Sequence, residues 1–252
     1  EQSSPHDYHL RPSQARLLNN SDLIIWIGPI LEGFMSHLPA VKSKKSLSLM
    51  TAPHVFLLSA RGNCAHDHNI HHAHSHNDID GHLWLSPHNA IAFVQAISTR
   101  LQALDPEHAA DYERNTRALL ENLEALQSEL QTQLTPLKNK RFVVFHDAFQ
   151  YFEKAFDLLP AEVLSVHPEH RLGLKRLQDL QRTLSPQETL CLFGEPQFDQ
   201  KIIERVANKF SWRVGMLDHF GFSPTGTPLP YIQMMRTLAS TLQQCIIQGK
   251  TS

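Results

Sequence analysis

Histidine is the residue type in this sequence whose number and spacing point to chemistry. The 252 residues include 17 histidines, whereas the 23 Lys and Arg nearly balance the 25 Asp and Glu. Imidazole is the commonest metal ligand in proteins and a poor filler for a hydrophobic core, so the excess predicts metal binding. The balanced charge gives no indication of a nucleic-acid partner.

One group of histidines is tightly clustered. It lies in the segment 62–81, which is polar, lacks apolar periodicity and is predicted to be a loop. Imidazoles this close together on loop backbone are expected to bind zinc weakly and in many arrangements. Our hypothesis is that this His-rich loop gathers or senses zinc, or passes it on, and the alternative is a merely solvated polar loop. Its members are His66, His68, His71, His72, His74 and His76.

A second group of ligand-type residues is spread along the chain, at the ends of predicted elements. It consists of His6, His82, His146 and Asp218. His146 follows a predicted strand at 142–145, and Asp218 follows another at 212–217. Ligands of doubly wound sheets lie at such strand ends, and rigid scaffolds present binding residues on loops. Together, with two on each side of a long predicted helix, these residues suit a cleft between two lobes.

The order of elements predicts an α/β architecture. Strands are predicted at 23–27 and 54–58, and Ser86-Pro87 is typical of the start of a helix that runs to about Leu104. A further helix is predicted from Asp105, about thirty residues or roughly 45 Å long at 1.5 Å per residue. It is our candidate for a spine joining the lobes, and a surface helix on a single domain is the alternative.

The predicted domains follow from this helix. They are an N-terminal α/β lobe over 1–104 with the His-rich loop at 62–81, the spine helix over 105–138, and a C-terminal α/β lobe over 139–252. No apolar run approaches a membrane span, which needs roughly eighteen residues.

Four motifs resemble, in order, those of the metal-receptor solute-binding proteins of ABC importers, and of their zinc receptors in particular. They are SPHDY with LRPS (residues 4–8 and 10–13), DGHLWLSP (80–87), FHDAFQYF (145–152), and FGEPQF (193–198) with LD (217–218). The resemblance implies two lobes with a metal in the cleft between them. It also implies a periplasmic receptor, not an enzyme, that captures Zn²⁺ and delivers it to a membrane permease; we expect a monomer.

The same resemblance implies the ligand set. His6, His82 and His146 are the implied ligands, with Asp218 in the region of the fourth. Family members that prefer manganese carry a carboxylate at the place of His146. Because imidazole suits zinc and manganese favours a shell richer in oxygen, His146 argues for zinc.

The three cysteines have no C-x-x-C spacing, so no zinc-ribbon or thioredoxin motif is present. The resemblance implies a disulfide between Cys191 and Cys245, with buried free thiols as the alternative. Cys64, beside the His-rich loop, is a weak candidate for an extra zinc ligand.

Two departures from the family pattern concern the N-terminus. Some zinc receptors have a glutamate immediately before the first ligand, where this chain has Pro5. The family also has a β–α–β segment before its first motif, for which five residues leave no room. Either the sequence is a fragment, or the N-lobe lacks this segment, in which case we expect its sheet to expose an unpaired edge.

Two other functions fit parts of the pattern. A zinc hydrolase would use the same three histidines and a metal-bound water, with Asp218 or Glu195 as base. A metal store would rely on the His-rich loop alone. Otherwise Glu195 is assigned a structural or ligand-supporting role, and the remaining histidines near the motifs are assigned to the surface or to support of the ligands: His9, His167 and His219.

Overall fold

A computed structural model of the chain describes residues 8, 10–61, 79–165, 177–179, 182, 190–222 and 229–248. His6 and the six histidines of the His-rich loop lie outside these residues. The chain forms two compact units. Unit 1 comprises Glu1–Ala60 and Asp67–Ala125, and unit 2 comprises Arg61–His66 and Leu126–Ser252.

The described part of unit 1 contains a small parallel sheet, two whole α-helices and part of a third. The described elements are α1 (Pro12–Asn20), β1 (Ile24–Trp26), β2 (Ser46–Ser48), α2 (Pro87–Leu104) and the first part of α3 (Ala109–Leu134). The predicted strand at 23–27 is confirmed as β1, which pairs with β2. The indole Nε1 of Trp26 donates to Ser46 Oγ at 2.9 Å across this pair. Each of the two described strands is paired on one side within the described residues.

The strand predicted at 54–58 is wrong. His54 has a φ of +67°, outside the extended region. The backbone of Phe56 pairs with a side chain instead of a strand, because Asn89 Oδ1 accepts its N–H at 3.0 Å and Asn89 Nδ2 donates to its carbonyl at 3.1 Å. Asn89 lies in the first turn of α2, where Ser86 caps the helix as predicted.

The long helix is confirmed as α3, with a 3₁₀ turn before it at Pro106–His108 and one after it at Thr135–Leu137. Its apolar stripe is buried only in its later part. Leu126, Leu130 and Leu134 are fully buried, whereas Leu119 is 40% exposed. The division between the two units falls inside this helix, after Ala125.

The described residues of unit 2 form a four-stranded parallel sheet in the order β4-β3-β5-β6. The strands are β3 (Val143–His146), β4 (Glu162–Ser165), β5 (Cys191–Gly194) and β6 (Arg213–Met216). The described helices are α4 (Gln150–Ala155), α5 (Gln200–Phe210) and α6 (Tyr231–Gln243), which continues as a π-helical turn at Gln244–Gln248. Because the chain proceeds from β3 outward to β4 and then returns to the other side of β3, the strand order reverses between β3 and β5.

A disulfide joins Cys191 at the start of β5 to Cys245 in the π-helical turn, which confirms the pairing implied by the resemblance. The two Cα atoms are 6.0 Å apart, and the cysteines are 54 positions apart in the chain. Both side chains are buried. The bridge therefore ties the last helix to a central strand of the sheet.

Replacing Cys191 and Cys245 together by serine is expected to lower the free energy of unfolding by about 4 kcal/mol, because the open chain gains conformational entropy when unfolded. Denaturant unfolding of the wild type with and without reductant measures the effect. Cys64→Ser is the matched control and should keep the wild type's sensitivity to reductant. An unfolding midpoint of the wild type that reductant does not move would contradict the prediction.

Candidate metal centre

The candidate site in unit 2 lies at the carboxyl ends of its parallel strands. His146 is the last residue of β3, and Glu195 follows β5 directly. The strand order reverses between these two strands, and ligands of open α/β sheets bind in the crevice at such a point. His219, which follows β6, joins them, and all three side chains are buried.

The carboxylate of Glu195 organises these residues. Its Oε2 lies 3.5 Å from His146 Nδ1 and 2.9 Å from His219 Nδ1, and it accepts a hydrogen bond from Gln197 Nε2 at 2.8 Å. An ionised carboxylate only accepts, so the His146 ring must donate from Nδ1. In a neutral imidazole this leaves the lone pair on Nε2, the state that a metal requires.

Glu195 is ionised at neutral pH in spite of its burial. Burial raises its pKa, but the charges and hydrogen bonds of His219 and His146 lower it further, to about 2. Its carboxylate is therefore available at neutral pH to accept a hydrogen bond from the His146 ring.

His82 in unit 1 has the same arrangement with a different carboxylate. Asp80 Oδ1 accepts a hydrogen bond from His82 Nδ1 at 2.8 Å and another from the His82 backbone N–H at 3.0 Å. Both residues are buried. The backbone N–H of Asp80 is in turn held by the carbonyl of Leu58 at 2.9 Å. His82 is thereby also oriented with Nε2 as its ligand nitrogen.

Asp218 closes the turn after β6. Its Oδ1 accepts the backbone N–H groups of Phe220 and Gly221 at 3.0 and 3.1 Å, and its Oδ2 accepts that of Phe222 at 2.6 Å. Gly221 has a φ of +69°, which suits glycine at this point of the turn. The carboxylate is thus held in place, and its role as a zinc ligand stays a prediction.

The complete ligand set predicted from the sequence is not tested within the described residues. His6 lies outside them, and His82 and His146 belong to separate units. In the part of the chain that the structure describes, no three His, Cys, Asp or Glu side chains are grouped to hold a metal ion. What the structure does establish is the orientation of His82 and His146, each by its own carboxylate.

The roles of two side chains at the site, Asp80 and His219, were not fully predicted from the sequence. Asp80 was counted with the loop, although an Asp two residues before a histidine is well placed to bond that residue's backbone N–H. His219 was assigned to the surface or to ligand support, and its contact with Glu195 places it in support. No pattern in the sequence marks that contact.

The family model described as "ZnuA: Zinc-uptake complex component A periplasmic" matches residues 1–245. The chain belongs to the ZnuA family. It is 33% identical to the high-affinity zinc uptake system protein ZnuA of Brucella abortus, over 96% of this chain and 82% of that protein. A ZnuA-family relative from Yersinia pestis is also 33% identical, over 97% and 81% of the two chains.

Solved structures of the family and its neighbours share the fold. A ZnuA deletion mutant with zinc bound is 26% identical and superposes with a TM-score of 0.76, covering 96% of this chain and 85% of that one. The periplasmic zinc binding protein TroA from Treponema pallidum, at 20% identity, has a TM-score of 0.79 over 96% and 87% of the chains. The predicted α/β class is confirmed. No helix among the described residues is both long and apolar enough to cross a membrane.

Asp80→Asn and Glu195→Gln are each expected to weaken zinc binding by about 10–100-fold, because an amide does not hold the Nδ1–H tautomer as a carboxylate does. Zinc affinity is measured by competition with a fluorescent chelator. The matched control is Asp105→Asn, since Asp105 holds the exposed His108 through Nδ1 at 2.9 Å in the same way. Equal losses in all three variants would show that the buried pairs have no special role.

Proposed function

We propose that this chain is a periplasmic receptor that captures Zn²⁺ and delivers it to the membrane permease of an ABC importer. The observation that carries the proposal is the pair of buried histidines, His82 and His146, whose Nδ1 atoms lie 2.8 and 3.5 Å from the carboxylates of Asp80 and Glu195. Membership of the ZnuA family supports the same function. Zinc is the cargo of this protein, bound and released without chemical change.

The proposed ligands are His6, His82 and His146, with Asp218 or a water as the fourth. Three neutral imidazoles and one oxygen donor form a tetrahedral zinc shell, with Zn–N distances of about 2.0–2.1 Å. A shell dominated by nitrogen favours zinc over manganese, which prefers oxygen ligands. The metal choice therefore depends chiefly on His146, the position where a carboxylate would favour manganese.

The electrostatics of unit 2 favour a receptor over a hydrolase. A general base that acts near neutral pH needs a pKa near that pH. Glu195, one of the two candidate bases, has a pKa of about 2. Asp218, the other, accepts three backbone hydrogen bonds in the turn after β6. Glu195 is therefore poorly suited to take a proton from a metal-bound water.

The His-rich loop is proposed to serve the receptor as an auxiliary zinc-gathering segment. Its closely spaced imidazoles should give weak sites that leave the tight site in place. Deletion of residues 62–77 should therefore leave tight zinc binding intact and remove only the weak component of the titration. Loss of the tight site on deletion would contradict an accessory role.

His146→Ala is expected to weaken tight zinc binding by more than about 100-fold, since loss of an outer-shell partner alone costs about 10–100-fold. Zinc is titrated against a fluorescent chelator, with manganese as a competing ion. His108→Ala, which removes an exposed histidine of the helix α3 region, is the matched control and should bind as the wild type does. Tight binding that survives in His146→Ala would favour a metal store based on the loop alone.

Zinc binding should weaken as the pH falls through about 6.5, because protons compete for the imidazole lone pairs that the metal uses. Zinc affinity falls on acidification because only neutral imidazole binds the metal, and a lower pH converts the imidazole to imidazolium. Calorimetric titration at several pH values on the 62–77 deletion variant measures this without the loop histidines. An affinity that stays constant between neutral pH and about pH 5 would contradict a three-histidine site.

A further inference from the structure

Arg61 is the centre of a partly buried ion network in unit 2. Its Nε donates to Asp147 Oδ1 at 3.0 Å and to Oδ2 at 3.3 Å, and its Nη2 also contacts Oδ1. On its other side, Nη1 and Nη2 donate to the two carboxylate oxygens of Glu153 at 2.8 and 3.3 Å. The exposed fractions of the three side chains are 26%, 10% and 5%. One guanidinium thus holds two carboxylates.

Asp147 is the residue directly after the candidate ligand His146. The Ala148 N–H donates to the His146 carbonyl at 3.0 Å, so the backbone turns tightly about Asp147. A carboxylate is therefore carried on the turn that leaves the ligand-bearing strand. Carboxylate oxygen is the donor that manganese and other hard cations favour, and its entry into the shell would change the metal preference.

We propose that Arg61 is a specificity-determining residue that withholds the Asp147 carboxylate from the metal. The inference rests on the proposed function, in which His146 is a zinc ligand. By engaging both oxygens of Asp147, Arg61 leaves the imidazole as the donor that this strand end offers. The receptor then keeps a nitrogen-rich shell although it carries an aspartate beside its ligand.

Two features stabilise the ion pairs of Arg61. A guanidinium is charged at every accessible pH and matches carboxylates with paired hydrogen bonds. Glu153 is itself anchored, because its Oε1 accepts the backbone N–H of Ala161 at 3.2 Å. The guanidinium is therefore fixed on the side away from Asp147, and its hold on Asp147 does not depend on a mobile surface contact.

The test compares zinc and manganese affinities of the full chain, with zinc measured by chelator competition and manganese by the paramagnetic resonance signal of the free ion. Arg61→Ala is expected to raise manganese affinity more than zinc affinity, because the freed Asp147 carboxylate adds an oxygen donor of the kind that manganese favours. The ratio of zinc affinity to manganese affinity should therefore fall by about tenfold. In Arg61→Ala with Asp147→Ala the freed carboxylate is gone, and the ratio should return toward that of the wild type.

Two further variants make the test specific. Arg61→Lys keeps a positive charge near the carboxylates but cannot cover both oxygens of Asp147, so it should show a smaller shift in the same direction. The matched control is Arg141→Ala, which breaks the 3.3 Å ion pair with Glu162 near the opposite end of β3. This control should keep the wild-type ratio.

If Arg61→Ala has the same ratio of zinc affinity to manganese affinity as the wild type, the inference is overturned. It is also overturned if the change in this ratio persists when Asp147 is replaced as well. The proposed function fails separately. If the wild type does not bind zinc tightly, or if His146→Ala binds zinc as tightly as the wild type, then the proposed receptor function is wrong, whatever the Arg61 variants do.

Discussion

The hydrogen bond from an imidazole Nδ1 to a buried carboxylate is the interaction on which the candidate centre depends. Neutral histidine has two tautomers, and a free side chain presents either nitrogen to a metal. Asp80 and Glu195 remove that freedom for His82 and His146, each at the cost of burying a charge. For Glu195 the neighbouring histidines compensate burial, which is why its pKa stays low. If His82 and His146 bind zinc as proposed, their carboxylates select the ligand nitrogen before the metal binds.

The sheet of unit 2 supplies the second condition, which is position. The parallel strand order reverses between β3 and β5, and such a reversal is the point at which open α/β sheets bind ligands. His146 and Glu195 occupy those two ends, so topology alone brings together residues 49 positions apart in the chain. The disulfide between Cys191 and Cys245 holds the final helix to the start of β5. The disulfide therefore helps to fix β5, and with it the position of Glu195 at the other end of that strand.

Much of this architecture could be predicted from the sequence, because its signals are local. The Ser86-Pro87 helix start, the long apolar stripe of α3 and the apolar strand before His146 were all predicted and found. The strand predicted at 54–58 failed because an apolar run does not reveal what its backbone will pair with. In the structure the partner is the side chain of Asn89, 33 residues away.

The partners of the candidate ligands were harder to predict than the strands and helices around them. Asp80 could be found from its spacing to His82, since the contact spans two residues. Arg61 could not, because its partners Asp147 and Glu153 lie 86 and 92 residues away and no motif joins them. Only the folded structure shows that these three charged side chains lie together.

The central claim is that three imidazoles bind the zinc, and X-ray absorption at the zinc edge tests it most directly. The sample is the 62–77 deletion variant loaded with one equivalent of zinc, so that loop histidines do not contribute. We predict nitrogen and oxygen ligands at about 2.0–2.1 Å from the zinc, with outer-shell scattering from about three imidazole rings. A shell with fewer than two imidazoles, or one containing sulfur, would contradict the account.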